Sequence, residues 1–188
     1  MSAGHADHAG HIDPANKKVA LFIAVLALVL AFAETLGKAS QTNALANHIE
    51  ASNLWSFFQA KTIRQTTVRT AAEEMDAQFG NRAPDAVKKQ IDAWKKTAER
   101  YQSEPETNEG RKELMVRAKE KEVKRDRAMA AYHNYEVASA AVQIAIVLAS
   151  AQIITGVVAL LWIAYALGAI GVIFGLIGLL WPTAVHLF

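Results

Sequence analysis

No cysteine occurs in the chain, which excludes disulfides, thiolate zinc sites and thiol nucleophiles. Proline is scarce, with four residues, and glycine numbers ten; such a composition argues against long disordered or collagen-like segments. Charge of one sign is not in excess either. The 20 Lys and Arg against 18 Asp and Glu leave a net +2, which gives no electrostatic footprint for nucleic acid. Also missing are the Walker loop, the dinucleotide glycine fingerprint, the His-Glu-x-x-His pair and the Gly-x-Ser-x-Gly elbow. The reading is of a protein that is not an enzyme and holds no cofactor.

The most informative absence is local. Residues 138–188 contain no Lys, Arg, Asp or Glu, whereas residues 37–137 hold 33 of the 38. A chain divided in this way is built for two solvents, water and lipid. The 44 residues from 138 to 181 would make a single helix of roughly 66 Å, about twice the hydrocarbon thickness. They are therefore expected to double back as two spans within 138–182, with the turn inside 155–162 near Thr155-Gly156 and with Trp162 and Tyr165 as interfacial aromatics. Trp181-Pro182 ends the third span, and residues 183–188 form a short tail.

At the other end, residues 1–16 read as a flexible polar tail, followed by Lys17-Lys18 and an apolar run that makes residues 17–36 the first span. Ala31-Phe32-Ala33 also fits an A-x-A signal-peptidase site, so a cleaved leader is the competing reading. The long acidic-containing tail before the lysines, and the lack of a helix breaker before the site, argue for an uncleaved anchor.

Residues 37–137 read as an extramembrane helical hairpin of three helices, 37–79, 84–102 and 111–137. Gly80-Asn81-Arg82-Ala83 stops the first, Pro84 and Asp85 open the second, and the stretch around Pro105 and Gly110 separates the third. Leu45, Ile49, Trp55, Phe58, Ile63, Met75 and Phe79 fall mostly on helical spacings in the first, and Val87, Ile91, Trp94, Ala98 and Tyr101 form a heptad in the second. The third offers Leu114, Ala118, Ala128, Tyr132 and Tyr135 as a thin seam that also passes through Lys121 and Arg125, with Glu113–Arg117 and Glu120–Lys124 as i,i+4 pairs. At 1.5 Å per residue the outgoing arm is roughly 65 Å and the return arms together roughly 68 Å, so the two match as one stalk. The expected fold is all-α: three transmembrane helices with an antiparallel, coiled-coil-like stalk. Lys/Arg counts near the span ends favour a cytoplasmic stalk.

Ala33-Glu34-Thr35-Leu36-Gly37-Lys38, Glu50-Ala51-Ser52-Asn53-Leu54-Trp55, Gln59-Ala60-Lys61-Thr62-Ile63-Arg64 and the late run from Gln143 to Ser150 together resemble a bacterial domain-of-unknown-function family, number 4337, of small membrane proteins. The resemblance covers most of the chain after the tail. It implies an uncleaved first anchor and a three-span layout, and it supplies no active site; the expected address is the bacterial inner membrane.

Four sets of residues are candidates for function. Gly168, Gly171, Gly175 and Gly178 share one face of the last span, where small residues let helix backbones approach closely; tight helix packing is the plain reading and a glycine-lined pore the sharper one. Glu34 lies at the end of the first apolar run as a possible ion or polar site, with Lys38 one turn on as its natural partner. Lys121, Lys124, Arg125 and Arg127 precede the second span and are placed to attract lipid headgroups, although Glu113, Glu120, Glu122 and Asp126 dilute their field. His5, His8 and His11 recur in the tail as possible metal ligands, opposed by the entropy of ordering it. Gln143 and Gln152 are expected to hydrogen-bond between helices. Trp55, Phe57, Phe58, Trp94 and Tyr101 are read as stalk packing, with one of Phe57 and Phe58 exposed or meeting another subunit. The expected partners are membrane lipids, further copies of the chain and a protein bound through the stalk. The leading function is an oligomeric membrane scaffold; a channel or transport subunit and a metal-binding membrane protein are the alternatives.

Overall fold

A computed structural model describes residues 14–185. It is all-helical, with no strand among the described residues: α1 (Pro14–Phe79), a 3-10 turn (Gly80–Arg82), α2 (Asp85–Gln102), α3 (Arg111–Thr155) and α4 (Val158–Leu180). Pro14 to Asn16, read from sequence as the end of a flexible tail, already belong to α1. Proline is tolerated there because the first N–H groups of a helix have no intrahelical partner. No proline and one glycine, Gly37, interrupt the next 65 residues of α1. The apolar and polar halves of that helix are one element.

Each helix end has a local cause. Gly80 takes φ of +48°, a left-handed conformation that glycine adopts without steric penalty, and Pro84 then accepts from the N–H groups of Val87 and Lys88 to start α2. Gly110 accepts from Leu114 N–H at 2.9 Å to start α3. Glu113, in the first turn of α3, reaches back: Ser103 Oγ donates to it at 2.6 Å and Glu104 N–H at 3.2 Å. That engagement replaces the expected Glu113–Arg117 pair; Arg117 instead donates to the carbonyl of Asn108. Gly156, at φ +71°, ends α3 by donating to Gln152 O, and two residues suffice before α4 begins.

The described residues divide into two compact units: 14–42 with 127–185, and 43–126. Gly37 to Thr42 and Arg127 to Val137, though polar in sequence, go with the apolar helices.

In the first unit, α4 doubles back along α3, and both pack on α1. The core is Val19, Leu26, Val142, Ala145, Ala149 and Ala164, with Phe22, Leu30, Ile146 and Leu167 against it. Phe22 meets Tyr165 edge-on at 4.6 Å. The opposite faces are apolar and open: Leu21, Leu28, Phe32, Val147, Ile154 and Trp162 are all more than half exposed. All three helices are long and apolar enough to cross a membrane. Asn134, fully buried, donates from Nδ2 to Ala130 O at 2.8 Å and to Pro182 O at 2.9 Å. Its Oδ1 lacks a protein partner, as does Gln152 Oε1.

In the second unit, Leu114, Ala118 and Ala72 are almost wholly enclosed, together with Ala44, Ala51, Ile91 and Ala98. Val87, Trp94 and Tyr101 of the α2 heptad are half-buried beside Ile91 and Ala98. Polar ties join the three segments. Trp55 Nε1 donates to Glu122 at 2.8 Å, Gln65 Nε2 to Ala98 O at 2.9 Å, and Lys95 to Asp76 at 3.0 Å. Arg111 donates to Thr62 Oγ1, Gln65 and Gln102 while its guanidinium lies over the Phe58 ring. Lys61, buried on its heptad position, pairs with Glu104 at 3.3 Å between the rings of Phe57 and Tyr101. Phe57 and Phe58 are both half-buried, which corrects the expectation that one would be exposed: Phe57 is covered by the Lys61 side chain, and Phe58 by Trp55 and Arg111.

Along α1 every position from Val19 to Phe79 on alternating steps of four and three is buried or half-buried. This is a heptad sustained over some sixty residues, of the kind that marks a helix packed along one seam. Much of it is small or polar: Ala33, Gly37, Ser40, Ala44, Asn47 and Ala51 follow one another without a large side chain.

Candidate functional site

The glycines of α4 divide in two. A Cβ on Gly168 would lie 3.1 Å from Leu26 Cδ2; on Gly171 it would collide with Val142 Cγ2 and stand 3.1 Å from Ala138 O; on Gly178 it would lie 3.1 Å from the Tyr135 ring. These three are where α4 meets α1 or α3 at close range, as small residues allow between apolar helices. Gly175 is different, because a Cβ there would meet nothing within 4 Å. The face read as uniform thus has three glycines packed inside the chain and one beside open space. Sequence reading missed Gly37, which admits the Tyr135 Cβ at 3.3 Å from where its own would be; there the missing side chain lets α1 and α3 come close in this unit.

Glu34 lies beside that approach, in a cleft of about 550 Å³ between α1 and α3. Glu34, Lys38 and Gln41 line it from α1, and Tyr132, Glu136, Ser139 and Gln143 from α3, over a floor that includes Ala33, Gly37 and Ala140. The spacings of three and four residues place each set on one helical stripe. Gln143 Nε2 donates to Glu34 Oε1 at 3.1 Å and to Ser139 Oγ at 3.1 Å, so Gln143 does bond between helices. Tyr132 donates its hydroxyl to Glu136 at 2.6 Å, and His133 Nδ1 lies 3.3 Å from the other oxygen. The Glu136 carboxylate, accepting from the Tyr132 hydroxyl and repelling a phenolate, raises the pKa of Tyr132. The expected Glu34–Lys38 pair is not formed, since the Glu34 carboxylate turns to Gln143 across the cleft; among the described residues neither Glu34 nor Lys38 makes an ion pair.

The family described as a domain of unknown function (DUF4337) matches residues 15–181. The chain belongs to that family. The DUF4337 match takes in nearly all of the four helices, and so both the glycine contacts of α4 and the cleft around Glu34. No curated protein and no solved structure matches the chain.

The other candidates fare differently. Lys121 pairs with Glu50, Lys124 with Glu120 at 2.7 Å, and Arg125 with Asp126 at 2.8 Å. The hydrogen bond and charge of Glu120 raise the Lys124 pKa, and Lys124 in turn lowers that of Glu120. Arg127 is exposed. His5, His8 and His11 lie outside the described residues; among the described residues no group of three His, Cys, Asp or Glu is placed to hold a metal ion.

Proposed function

We propose that this DUF4337 chain is a three-span membrane protein that acts as a scaffold or interaction module, without catalysis, through a polar helical stalk. The observation that carries the reading is the apolar exterior of the first unit. Leu21, Phe32, Val147, Ile154 and Trp162 stand open on three helices around a thin core of Val, Leu and Ala. An exterior of that kind is tolerated in lipid and is an aggregation liability in water. The second unit fits a stalk, because its ion-pair partners run in opposite chain directions: Glu50 with Lys121, Lys61 with Glu104, Asp76 with Lys95. Leu45, Ile49, Ile63, Val116 and Val123 are each at least half exposed on this otherwise charged unit, which supports self-association or a protein partner along it. Three of the four α4 glycines being occupied inside the chain supports packing over pore lining.

Retention of the purified chain in mild detergent, with native mass above that of one chain, is the expected result. A folded monomer dispersed in plain buffer refutes the spanning reading, and a monomer in detergent refutes self-association. Because the chain lacks cysteine, single cysteines placed at Gln78 and Ser2 report the side of each by thiol labelling in spheroplasts; the count of basic residues favours a cytoplasmic stalk in a bacterial inner membrane. The channel reading keeps one observation, the open space at Gly175. Flux through reconstituted bilayers that is lost in Gly175→Leu would favour it.

A further inference from the structure

The cleft between α1 and α3 lies where apolar sequence gives way to charge, and its chemistry is mixed. Glu34 and Glu136 supply carboxylates, Ser139 a hydroxyl, Gln143 an amide, and Lys38 the one ammonium. The two carboxylates and one ammonium give a formal charge of −1 inside. Such a set does not suit an anion alone, since two carboxylates oppose one lysine. It does not suit a metal ion either, since only two carboxylates face the space. It does suit a ligand carrying both a primary ammonium and a phosphate. An ammonium has three N–H donors and seeks several acceptors, which the carboxylates and Ser139 Oγ provide from facing helices. A phosphate next to it then meets Lys38. One turn beyond the cleft, toward the apolar ends of the same two helices, Ala31 continues its stripe on α1 and Val147 on α3, and both are exposed, so acyl chains continuing from such a headgroup find apolar side chains there.

We propose that this cleft binds the headgroup of a zwitterionic aminophospholipid, the ammonium held by Glu34, Glu136 and Ser139 and the phosphate by Lys38. The proposal rests on the membrane-spanning reading. It differs from a general attraction of basic residues to anionic lipid, which would favour the opposite headgroup charge.

The test is lipid titration of the full-length chain in mild detergent, read by native mass spectrometry. The probes are phosphatidylethanolamine, phosphatidylcholine and phosphatidylglycerol with identical acyl chains. Charge-assisted hydrogen bonds that a trimethylammonium cannot make predict a preference of about tenfold for the primary amine over either competitor. Glu34→Gln keeps an acceptor for Gln143 and removes the charge; it is expected to abolish most of that preference by weakening phosphatidylethanolamine far more than phosphatidylcholine. Glu136→Gln is the parallel variant, so loss of fold in one carboxylate variant leaves the other to decide, while Lys38→Met, which removes the contact to the phosphate common to all three lipids, is expected to weaken all three. Soluble phosphoethanolamine at millimolar concentration is expected not to displace the lipid, and efficient displacement would show a free metabolite site in place of a lipid one. Equal binding of the three lipids, tighter binding of phosphatidylglycerol, or an unchanged preference in folded Glu34→Gln or Glu136→Gln overturns the proposal. These outcomes are separate from failure of the spanning reading, which is a chain that folds and stays dispersed without detergent.

Discussion

Gly171 and Gly175 lie one turn apart on α4, and replacing each by alanine separates two effects that usually come together. Both substitutions gain the same helix propensity, roughly 1 kcal/mol for Gly to Ala. At Gly175 nothing stands within 4 Å of the new methyl, so Gly175→Ala is expected to be neutral or stabilising by up to about 1 kcal/mol. At Gly171 the methyl runs into Val142 Cγ2 and comes within 3.1 Å of Ala138 O. Val142 is fully buried in the core of that unit and, being β-branched, has little rotameric freedom in a helix. It cannot turn aside, so α3 and α4 must separate. Overpacking of this kind costs about 1–3 kcal/mol, and that is the expected difference in unfolding free energy between the two variants. Unfolding in mixed micelles of mild detergent and dodecyl sulfate, followed by far-ultraviolet circular dichroism, measures it. Val142→Ala should restore part of the loss in Gly171→Ala, with a coupling of about 0.5–3 kcal/mol in the double-mutant cycle. Equal stability of Gly171→Ala and Gly175→Ala, or no coupling to Val142, would refute the packing described for α4.

Other expectations concern the second unit and the turns. Leu114→Ala removes a fully buried side chain and is expected to cost about 2–5 kcal/mol, whereas Leu45→Ala, at an exposed position, should stay within about 0.5 kcal/mol of the parent; thermal unfolding compares the two. The pKa of Glu113 is lowered, chiefly by the Ser103 hydroxyl and then by the backbone N–H groups of Glu113 itself and Glu104. Because the folded value is depressed, the stability this carboxylate adds is present above the ordinary carboxylate range and is lost as pH falls through the lower folded value. The gap in melting temperature between parent and Glu113→Gln should therefore narrow in acid; a gap that stays constant from pH 7 to pH 3 would contradict it. Gly156→Ala forces a side chain into a left-handed conformation and should cost about 1–2 kcal/mol, visible in the same micelle assay.

What could be read from the sequence was set by how strongly each residue constrains its own backbone or solvent. The all-helical class and the three long apolar helices followed from the uncharged stretch at 138–188 and the run after Lys18, because lipid-compatible segments must satisfy their backbone internally. Helix ends at Gly80, Pro84, Gly110 and Gly156 were legible from residues whose φ preferences leave few alternatives. The packing face of α1 was not. Counting apolar residues picked out Leu45, Ile49 and Ile63, which are exposed, while the buried seam runs through Ala44, Ala51, Lys61, Gln65 and Ala72. Small and polar residues on a heptad carry little hydrophobic signal, although their very smallness permits close approach. The cleft was hidden for another reason. Glu34 and Gln143 are 109 residues apart, and only the passage of α3 beside Gly37 brings them to 3.1 Å.

The tie between Asn134 and Pro182 has a bearing on the order of events during synthesis. The amide of Asn134 sits in the middle of the chain's longest return, yet one of its two acceptors is a carbonyl 48 positions later, beyond the end of the last helix. Helices α3 and α4 can be threaded into place beforehand, but that inward-facing amide stays half-matched until residue 182 has left the ribosome. A nascent chain stalled or cut at Leu180 would hold every apolar segment and still lack the latch that closes them, leaving it open to early proteolysis.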